Sequence, residues 1–389
     1  MYLSLVSLFF WLTIKKWRNS PYSKATCHFI APRNYTVESL ENYKKDLDKY
    51  RIISDEIDFI FWIEGDLDYE ISGVKVKGYG KKLKNFKEFL ITQDPKKTIL
   101  SCTDDVYIIL VALLFKLFWG TRIVYYNLSL LRANEIMIAY TKRNFKYKLA
   151  SFIIRLVHKF ADVITFTRIM SHEVLYQSGE DAFLKFVSAD HTIRGSIEDL
   201  IERKVSLNKS EMKSSESVAL FTRFENMKRS EDAIEAYIKS LPYSDNIPLY
   251  IYGGGSELEL ARLKYQNDQL LLFKGNIPQT DIISKMMESL FILAPHSGGV
   301  SIEAGIAERA VISYGCNAMP EYIIDNFTGL LVDLNDDHYF KECIDLLYKD
   351  KKLRNSLGLN GLQFNMQRFS KKNMRRSYKK LSDKLEKIF

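Results

Sequence analysis

The chain has 389 residues, 47% of them apolar, which favours two domains of ordinary size with sizeable cores and excludes global disorder. Its 56 Lys and Arg against 48 Asp and Glu give a formal charge of +8, so an anionic partner is expected: a membrane surface, nucleic acid or a phosphorylated substrate. It carries no recognised nucleic-acid motif, and its 23 Tyr and 24 Phe are spread along the chain rather than gathered as a stacking platform, which ranks a membrane surface above nucleic acid.

Residues 1–20 (MYLSLVSLFFWLTIKKWRNS) are an apolar run closed by Lys15, Lys16, Trp17 and Arg18. The run is shorter than the roughly 20 residues a spanning helix needs. Its charge follows the apolar stretch instead of preceding it, against a secretory signal. Tryptophans beside lysines fit a short interfacial anchor; a segment docked on the domain is the alternative.

An α/β rhythm follows. TCHFIA (26–31), FIFWI (59–63), VKVKGY (74–79), TILSC (98–102), RIVYYN (122–127) and VITFT (163–167) read as strands, with helical patterns between several of them. Val106–Trp119 is interrupted by Lys116 and lies between two strands, so it reads as a helix covering a sheet rather than a membrane span. TKRNFKYKLASFIIRLVHKF (141–160) alternates basic residues with a helical apolar stripe, and KKLKNFKEF (81–89) is a second basic stretch. The polar segment 203–217 lacks apolar periodicity and is the expected linker, leaving residues 21–202 as the first domain. Strands near 218–222, 249–252, 271–273, 290–294, 310–313 and 329–332 then define a second parallel-sheet domain over 218–368. After Ser370, Met374, Tyr378, Leu381, Leu385 and Ile388 fall on one stripe of a basic amphipathic helix, 369–389.

The densest chemistry lies in residues 295–332. Gly298 and Gly299 provide a turn where backbone can approach a ligand. A helix beginning there aims its N–H groups and positive dipole end at that ligand, which suits a phosphate. Glu303, about one turn further, is placed to accept hydrogen bonds from a diol such as ribose. A nucleotide-linked substrate follows; a plain strand-to-helix turn with a solvated glutamate is the alternative.

This block resembles the donor site of the retaining GT-B glycosyltransferases of the group-1 or family-4 type. Glu303 matches the second glutamate of their E-x7-E motif, Gly298 its second glycine, and Pro320-Glu321 and Thr328–Val332 the later landmarks. Pro295 stands where the first glutamate would be. Upstream, VALFTRFENMKRSEDAIEAY (218–237) resembles the family's strand, G-R-L, K-G and helix run, with Arg223 and Lys228 at the family's separation and Thr222 in place of the usual glycine. Residues 248–263 resemble its G-x-G-P-E turn, and residues 271–297 resemble the following strand and helix.

The resemblance implies a GT-B fold, α/β, with two Rossmann-like domains, parallel sheets and a cleft between them, and a last helix that crosses back to the first domain. It implies retention at the anomeric carbon without a protein nucleophile. Arg223 and Lys228 would act on the diphosphate, with Gly254, Ile277, Gly298, Gly299, Val300 and Glu303 binding the donor; His296, which directly precedes the glycine turn, is placed to donate to the β-phosphate or the transferred sugar. Asn127 and Tyr126 would stand on the sugar or acceptor side. No cofactor and no metal are expected.

Other candidates are weaker. Asp66-Leu67-Asp68 has the D-x-D spacing of cation-dependent sugar transferases but reads first as an acidic turn. Asp104-Asp105 reads as a helix cap or a cleft acid. His28, His158, His172, His191 and His338 show no metal-ligand spacing, and His158 reads as structural. Cys27, Cys102, Cys316 and Cys343 form no C-x-x-C pair and read as thiols of a reducing compartment.

The expected function is glycosyl transfer from a nucleotide-sugar to an oligosaccharide or lipid-linked acceptor. Its setting would be bacterial surface-polysaccharide synthesis, by a cytoplasmic protein associated with the inner face of the membrane. A non-catalytic nucleotide-sugar-binding scaffold is the alternative, and a GT-B-shaped sugar-nucleotide epimerase a third.

Overall fold

The computed structural model describes residues 25–34, 57–64, 67–71, 74–78, 98–102, 106–127, 144–166, 186–188, 197–206, 216–225, 228–316, 319–334 and 336–370, with positions 37, 372, 373, 376, 379, 380 and 383. The expected anchor at 1–20, the basic stretch 81–89, Asp66, Asp104-Asp105, His172, His191 and most of the tail lie outside the described residues. The chain forms two compact units, Met1–Asp190 with Met374–Phe389, and His191–Asn373.

The first unit contains β1 (Ala25–Asn34), β2 (Ile57–Glu64), β3 (Asp68–Ile71), β4 (Val74–Gly78), β5 (Thr98–Cys102), α1 (Val106–Trp119), β6 (Arg122–Asn127), α2 (Asn144–Phe160), β7 (Val163–Phe166) and β8 (Phe186–Ser188). Its sheet runs β3-β4-β2-β1-β5-β6-β7-β8. Neighbouring strands are parallel except β3, which pairs antiparallel with β4 and places Asp68 opposite Lys77. Crossover helices explain the parallel pairing: Ile108, Ile109, Ala112 and Phe115 of α1 and Ile153, Ile154 and Val157 of α2 share one core with Leu100, Ile123, Tyr125 and Ile164 of the sheet. Gly120, at φ 68°, ends α1 in the left-handed conformation and donates to the Lys116 carbonyl at 2.9 Å. Lys116 reaches Asp162 at 2.6 Å, and Asp162 also accepts from the Ile123 amide at 2.8 Å, tying α1 to the start of β7.

The second unit contains α3 (Ile197–Ser206), β9 (Val218–Phe221), α4 (Ser230–Ile238), α5 (Leu241–Ser244), β10 (Leu249–Tyr252), α6 (Leu258–Lys264), β11 (Leu271–Gly275) and α7 (Ile282–Met287). It continues with β12 (Ile292–Leu293), α8 (Gly298–Ile306), β13 (Val311–Tyr314), α9 (Met319–Tyr322), β14 (Leu330–Val332), α10 (Asp337–Lys349) and α11 (Lys351–Arg368). Its sheet is fully parallel in the order β11-β10-β9-β12-β13-β14. Every residue of β9 and β13 is buried, as expected of strands covered on both faces. The chain moves outward from β9 through β10 to β11, then returns to lay β12 on the other side of β9. The crevice at the carboxyl ends of β9 and β12 is therefore a topological switch point, where doubly wound sheets bind ligands.

One feature departs from the sequence reading, and a second was not anticipated by it. Helix α3 runs into the stretch expected as linker, because Ile197 and Leu200 are buried in the second unit and Lys204 pairs with Glu308. The α8–α11 crossing is unusually close. A Cβ on Gly305 would meet the Gly361 backbone at 3.0 Å, and one on Gly358 would strike the Glu308 carbonyl. Asn365, one turn beyond Gly361, donates to the Ile302 carbonyl at 3.1 Å. Beyond α11, the Ser370 hydroxyl accepts from the Asn373 amide at 3.3 Å, the bond of an N-cap. No described helix is long and apolar enough to cross a membrane.

Candidate active site

A cavity of about 590 Å³ opens at the carboxyl ends of β9, β10 and β12, within the size range of small-molecule sites. Two short loops and the start of α8 make three of its walls.

The first loop follows β9. Buried Thr222 donates its amide to the Tyr252 carbonyl at 3.1 Å, and the Phe224 amide donates to Gly254 at 2.8 Å. Ser230 closes the arrangement: its hydroxyl lies 3.0 Å from that of Thr222 and donates to the Arg223 carbonyl at 3.2 Å. Arg223 is thus fixed in backbone between two buried neighbours while its side chain, 66% exposed, stands at the mouth of the cavity. Its pair with Glu225 is long, 3.4 Å, and exposed, so it contributes little. Lys228, five residues on, turns inward and donates to the His296 carbonyl at 3.1 Å. That bond joins the loops of the two strands flanking the switch point.

The residue after Lys228 holds this loop. Arg229 sits in the left-handed region, φ 52° and ψ 35°, as the N-cap of α4 without a side-chain cap bond. Its guanidinium, 12% exposed, reaches Asp232 at 2.5 Å and Asp337 at 3.2 Å and lies 4.3 Å from the Tyr314 ring centroid. The Tyr314 hydroxyl donates to the same Asp337 at 2.7 Å. Burial works to lower the Arg229 pKa, but the hydrogen bond and charge of Asp232, with Asp337, outweigh it and raise the value. The half-buried Cys316 thiol close by is pushed up by burial, against the lowering influence of Arg229 and Lys228.

The second loop is Gly253–Gly255. Gly253 has φ 132°, and a Cβ there would overlap the Thr222 carbonyl, so only glycine lets β9 and β10 end side by side. Gly254 faces the Asn276 amide, and a Cβ on it would lie 2.6 Å from Asn276 Nδ2. Under this loop Phe221 and Tyr252 stack at 4.7 Å and 19°, forming an aromatic floor. Burial and the Glu288 charge push the Tyr252 phenol up to about 12, so it stays neutral at physiological pH.

The third wall is α8. Its N-cap, Ser297, is extended and makes no side-chain cap bond, and Ser297, Val300 and Glu303 line the cavity. The first-turn amides carry the positive end of the helix dipole toward the same space as Lys228 and Arg223. Glu303 lies on the inner face of this helix, 2% exposed.

Arg223, Lys228, Gly254, Ile277, Val300 and Glu303 therefore meet around one cavity. His296 contributes its carbonyl to Lys228. Gly298 and Gly299 belong to the first turn of α8 and are absent from the cavity lining. Gly298 has a different reason to lack a side chain: a Cβ would meet the Tyr322 ring at 2.5 Å, whereas one on Gly299 would point into open space. Asn127 and Tyr126 end β6 in the first unit. Glu321 pairs with Arg368 at 3.2 Å, both largely buried, so this family landmark anchors α9 to α11. Phe221, Tyr252 and Ser297 were not picked out from sequence; aromatic residues at the last positions of two strands were the available signal. Among the described residues no group of three or more His, Cys, Asp or Glu is arranged to hold a metal ion. Asp68 opens an edge strand and is exposed.

Residues 203–364 match the family model described as glycosyl transferases group 1. Two uncharacterized glycosyltransferases of Methanocaldococcus jannaschii are similar. One is 31% identical over 111 residues, 26% of this chain and 31% of the relative. The other is 26% identical over 258 residues, 62% of this chain and 64% of the relative. The chain thus matches less than two thirds of either relative's length. Among solved structures, Anabaena HepE in complex with UDP and glucose superposes with a TM-score of 0.66 at 12% identity, over 93% of this chain and all of that one. Sucrose-phosphate synthase from Thermosynechococcus elongatus superposes with a TM-score of 0.70 at 14% identity, over 94% of this chain and all of that one. At such identity the likeness establishes the fold, which is GT-B: two Rossmann-like units, each built on a parallel or mostly parallel sheet.

Proposed function

We propose that the chain is a glycosyltransferase that moves a sugar from a nucleoside-diphosphate donor to a glycan acceptor. The observation that carries the reading is the convergence of Arg223, Lys228, the open N-terminus of α8 and Glu303 on one cavity at the switch point. Cleaving a sugar–phosphate bond builds negative charge on the departing diphosphate. Two cations and a helix N-terminus aimed at that charge lower the barrier without needing a metal ion. Glu303, at the inner end of the cavity, accepts from the ribose hydroxyls, and the Phe221–Tyr252 floor offers an apolar surface to the nucleoside. The UDP complexes of HepE favour a uridine diphosphate leaving group.

The transfer proceeds with retention. The acceptor attacks from the face the phosphate leaves, and the phosphate takes its proton, so no carboxylate nucleophile is involved. The acceptor is a lipid-linked oligosaccharide of surface-polysaccharide synthesis, and the protein works on the inner face of a cell membrane. The charge of +8 supports that setting. The division into a first, acceptor domain and a second, donor domain, with a returning last helix, belongs to the same reading.

Pro295 in place of the family's first glutamate favours a second reading, a nucleotide-sugar-binding scaffold. A panel of UDP-, GDP-, ADP- and CMP-sugars, followed by thermal shift and released nucleotide together, separates the two. A shift with slow nucleotide release is expected for one donor. A shift without release, even with lipid-linked acceptor present, would leave the scaffold; no shift with any donor would overturn the site.

A further inference from the structure

We infer that the paired outer faces of α1 and α2 form a docking surface for an anionic lipid bilayer. This inference rests on the membrane setting proposed above and deepens it, naming a surface of the first unit; it uses no part of the donor-site reading.

The two helices are neighbours that turn opposite sides to core and exterior. Ile108, Ile109, Ala112 and Phe115 of α1 and Ile153, Ile154 and Val157 of α2 enter one shared core. A soluble domain would place polar side chains on the other sides. Here Leu110, Leu114, Leu117 and Phe118 of α1 are exposed by 42%, 45%, 76% and 59%, and Leu149, Phe152 and Phe160 of α2 by 47%, 58% and 48%. On α1 these positions are spaced by four, three and one, which keeps them on a single stripe. Contiguous apolar patches of this kind mark interaction sites.

Charge selects the occupant. Neither helix contains a carboxylate: α1 is VYIILVALLFKLFW and α2 is NFKYKLASFIIRLVHKF. The single charge of α1, Lys116, is bound to Asp162. The exposed charges of α2 are basic: Arg155 and Lys159 stand on the same side as Phe152, and Lys159 Nζ lies 6.0 Å from the Phe160 ring centroid. A second copy of the chain would bring positive against positive. A bilayer containing acidic lipids accepts the leucines and phenylalanines at its acyl boundary and the lysine and arginine among its head groups. Neither helix is long enough to span, so the pair would lie flat on the surface.

The test is co-sedimentation of the full chain with vesicles of phosphatidylcholine alone or with one third phosphatidylglycerol, beside light scattering of the free protein. Binding is expected to the mixed vesicles and to be at least tenfold weaker for phosphatidylcholine alone. Leu117→Glu with Phe152→Glu should weaken binding at least tenfold, with the thermal transition unchanged because both positions are exposed. Arg155→Glu with Lys159→Glu should also weaken it and serves as the second probe if the first variant misfolds. Unchanged vesicle binding in both double variants would overturn the inference, and so would absence of binding by the parent chain. A dimer that Leu117→Glu and Phe152→Glu convert to monomer, without vesicle binding, would assign the face to a second copy instead. Donor-induced thermal shift, measured on the same samples, reports the second unit separately, so failure of the surface and failure of the donor site are distinguished.

Discussion

Arg229 allows the contribution of one backbone angle to be isolated. Replacing it by alanine or by glycine erases the same side-chain contacts, to Asp232, Asp337 and the Tyr314 ring. The variants differ in what remains at φ 52°. A β-carbon there costs about 1 kcal/mol that glycine does not incur. The contacts themselves are partly screened, since Asp232 and Asp337 are 39% and 52% exposed although Arg229 is 12%. About 2–3 kcal/mol for the two ion pairs and the ring contact together is a reasonable sum. Arg229→Ala should therefore lose roughly that amount, and Arg229→Gly about 1 kcal/mol less. For a unit of this size, 1 kcal/mol corresponds to about 2–4 °C. Differential scanning calorimetry should place the glycine variant above the alanine variant by that interval, both below the parent chain. Equal transitions, or alanine above glycine, would refute the claim that this residue bears left-handed strain. Donor turnover should fall in both variants, because each releases the loop that presents Lys228.

Three further outcomes are expected. Arg223→Ala and Lys228→Ala should each cut turnover at least about tenfold with the fold intact, since a charged hydrogen bond made in the transition state contributes about 1.5–3 kcal/mol; normal turnover in both would remove them from the diphosphate site. Glu303→Gln should weaken nucleotide binding more than it slows the bound donor, and unchanged affinity by calorimetric titration would exclude a ribose contact. Burial holds the His158 imidazole down at about 4, against 6.5 when unfolded, so the unfolded chain binds the extra proton between those values. The stability this neutral histidine contributes is present above pH 6.5 and is lost as pH falls toward 4, by roughly 3 kcal/mol in all. Urea melts at pH 7 and pH 4.5 should show that loss in the first unit, and His158→Gln should flatten it.

Much of the second unit was legible because its strands are short apolar runs with turn residues at their ends. VALF, LYIY and VISY need no tertiary information to be read as buried parallel strands. In the first unit TILSC and RIVYYN were equally plain, but β3 was not. Its four residues, DYEI, alternate acids with apolar side chains and become a strand only by pairing with β4. The site divides in the same way. Arg223 and Lys228 could be named because residues 218–237 resemble the family's pattern, and Glu303 because it stands one turn after the glycine turn. The Arg229 cluster joins residues 229, 232, 314 and 337, whose spacing carries no local signal. Gly298 reads in sequence as a ligand-facing turn residue, whereas its lack of a side chain answers to the Tyr322 ring of α9, distant in sequence. The last turn of α3 extends into the first residues of the expected linker because one apolar edge, Ile197 and Leu200, suffices to dock a helix that is otherwise largely polar.

The close passage of α8 over α11 gives the proposed donor pocket a remote foundation. Glu303 lies between Ile302, whose carbonyl is held by Asn365, and Gly305, which rests on Gly361. A single added methyl group at position 358 or 361 would lift the bearing on which that carboxylate turns, although neither glycine lines the cavity. Attempts to retune donor choice therefore have latitude at Asn276, Ile277 and Ser297, which rim the cavity, but little in the C-terminal helix that supports it from behind.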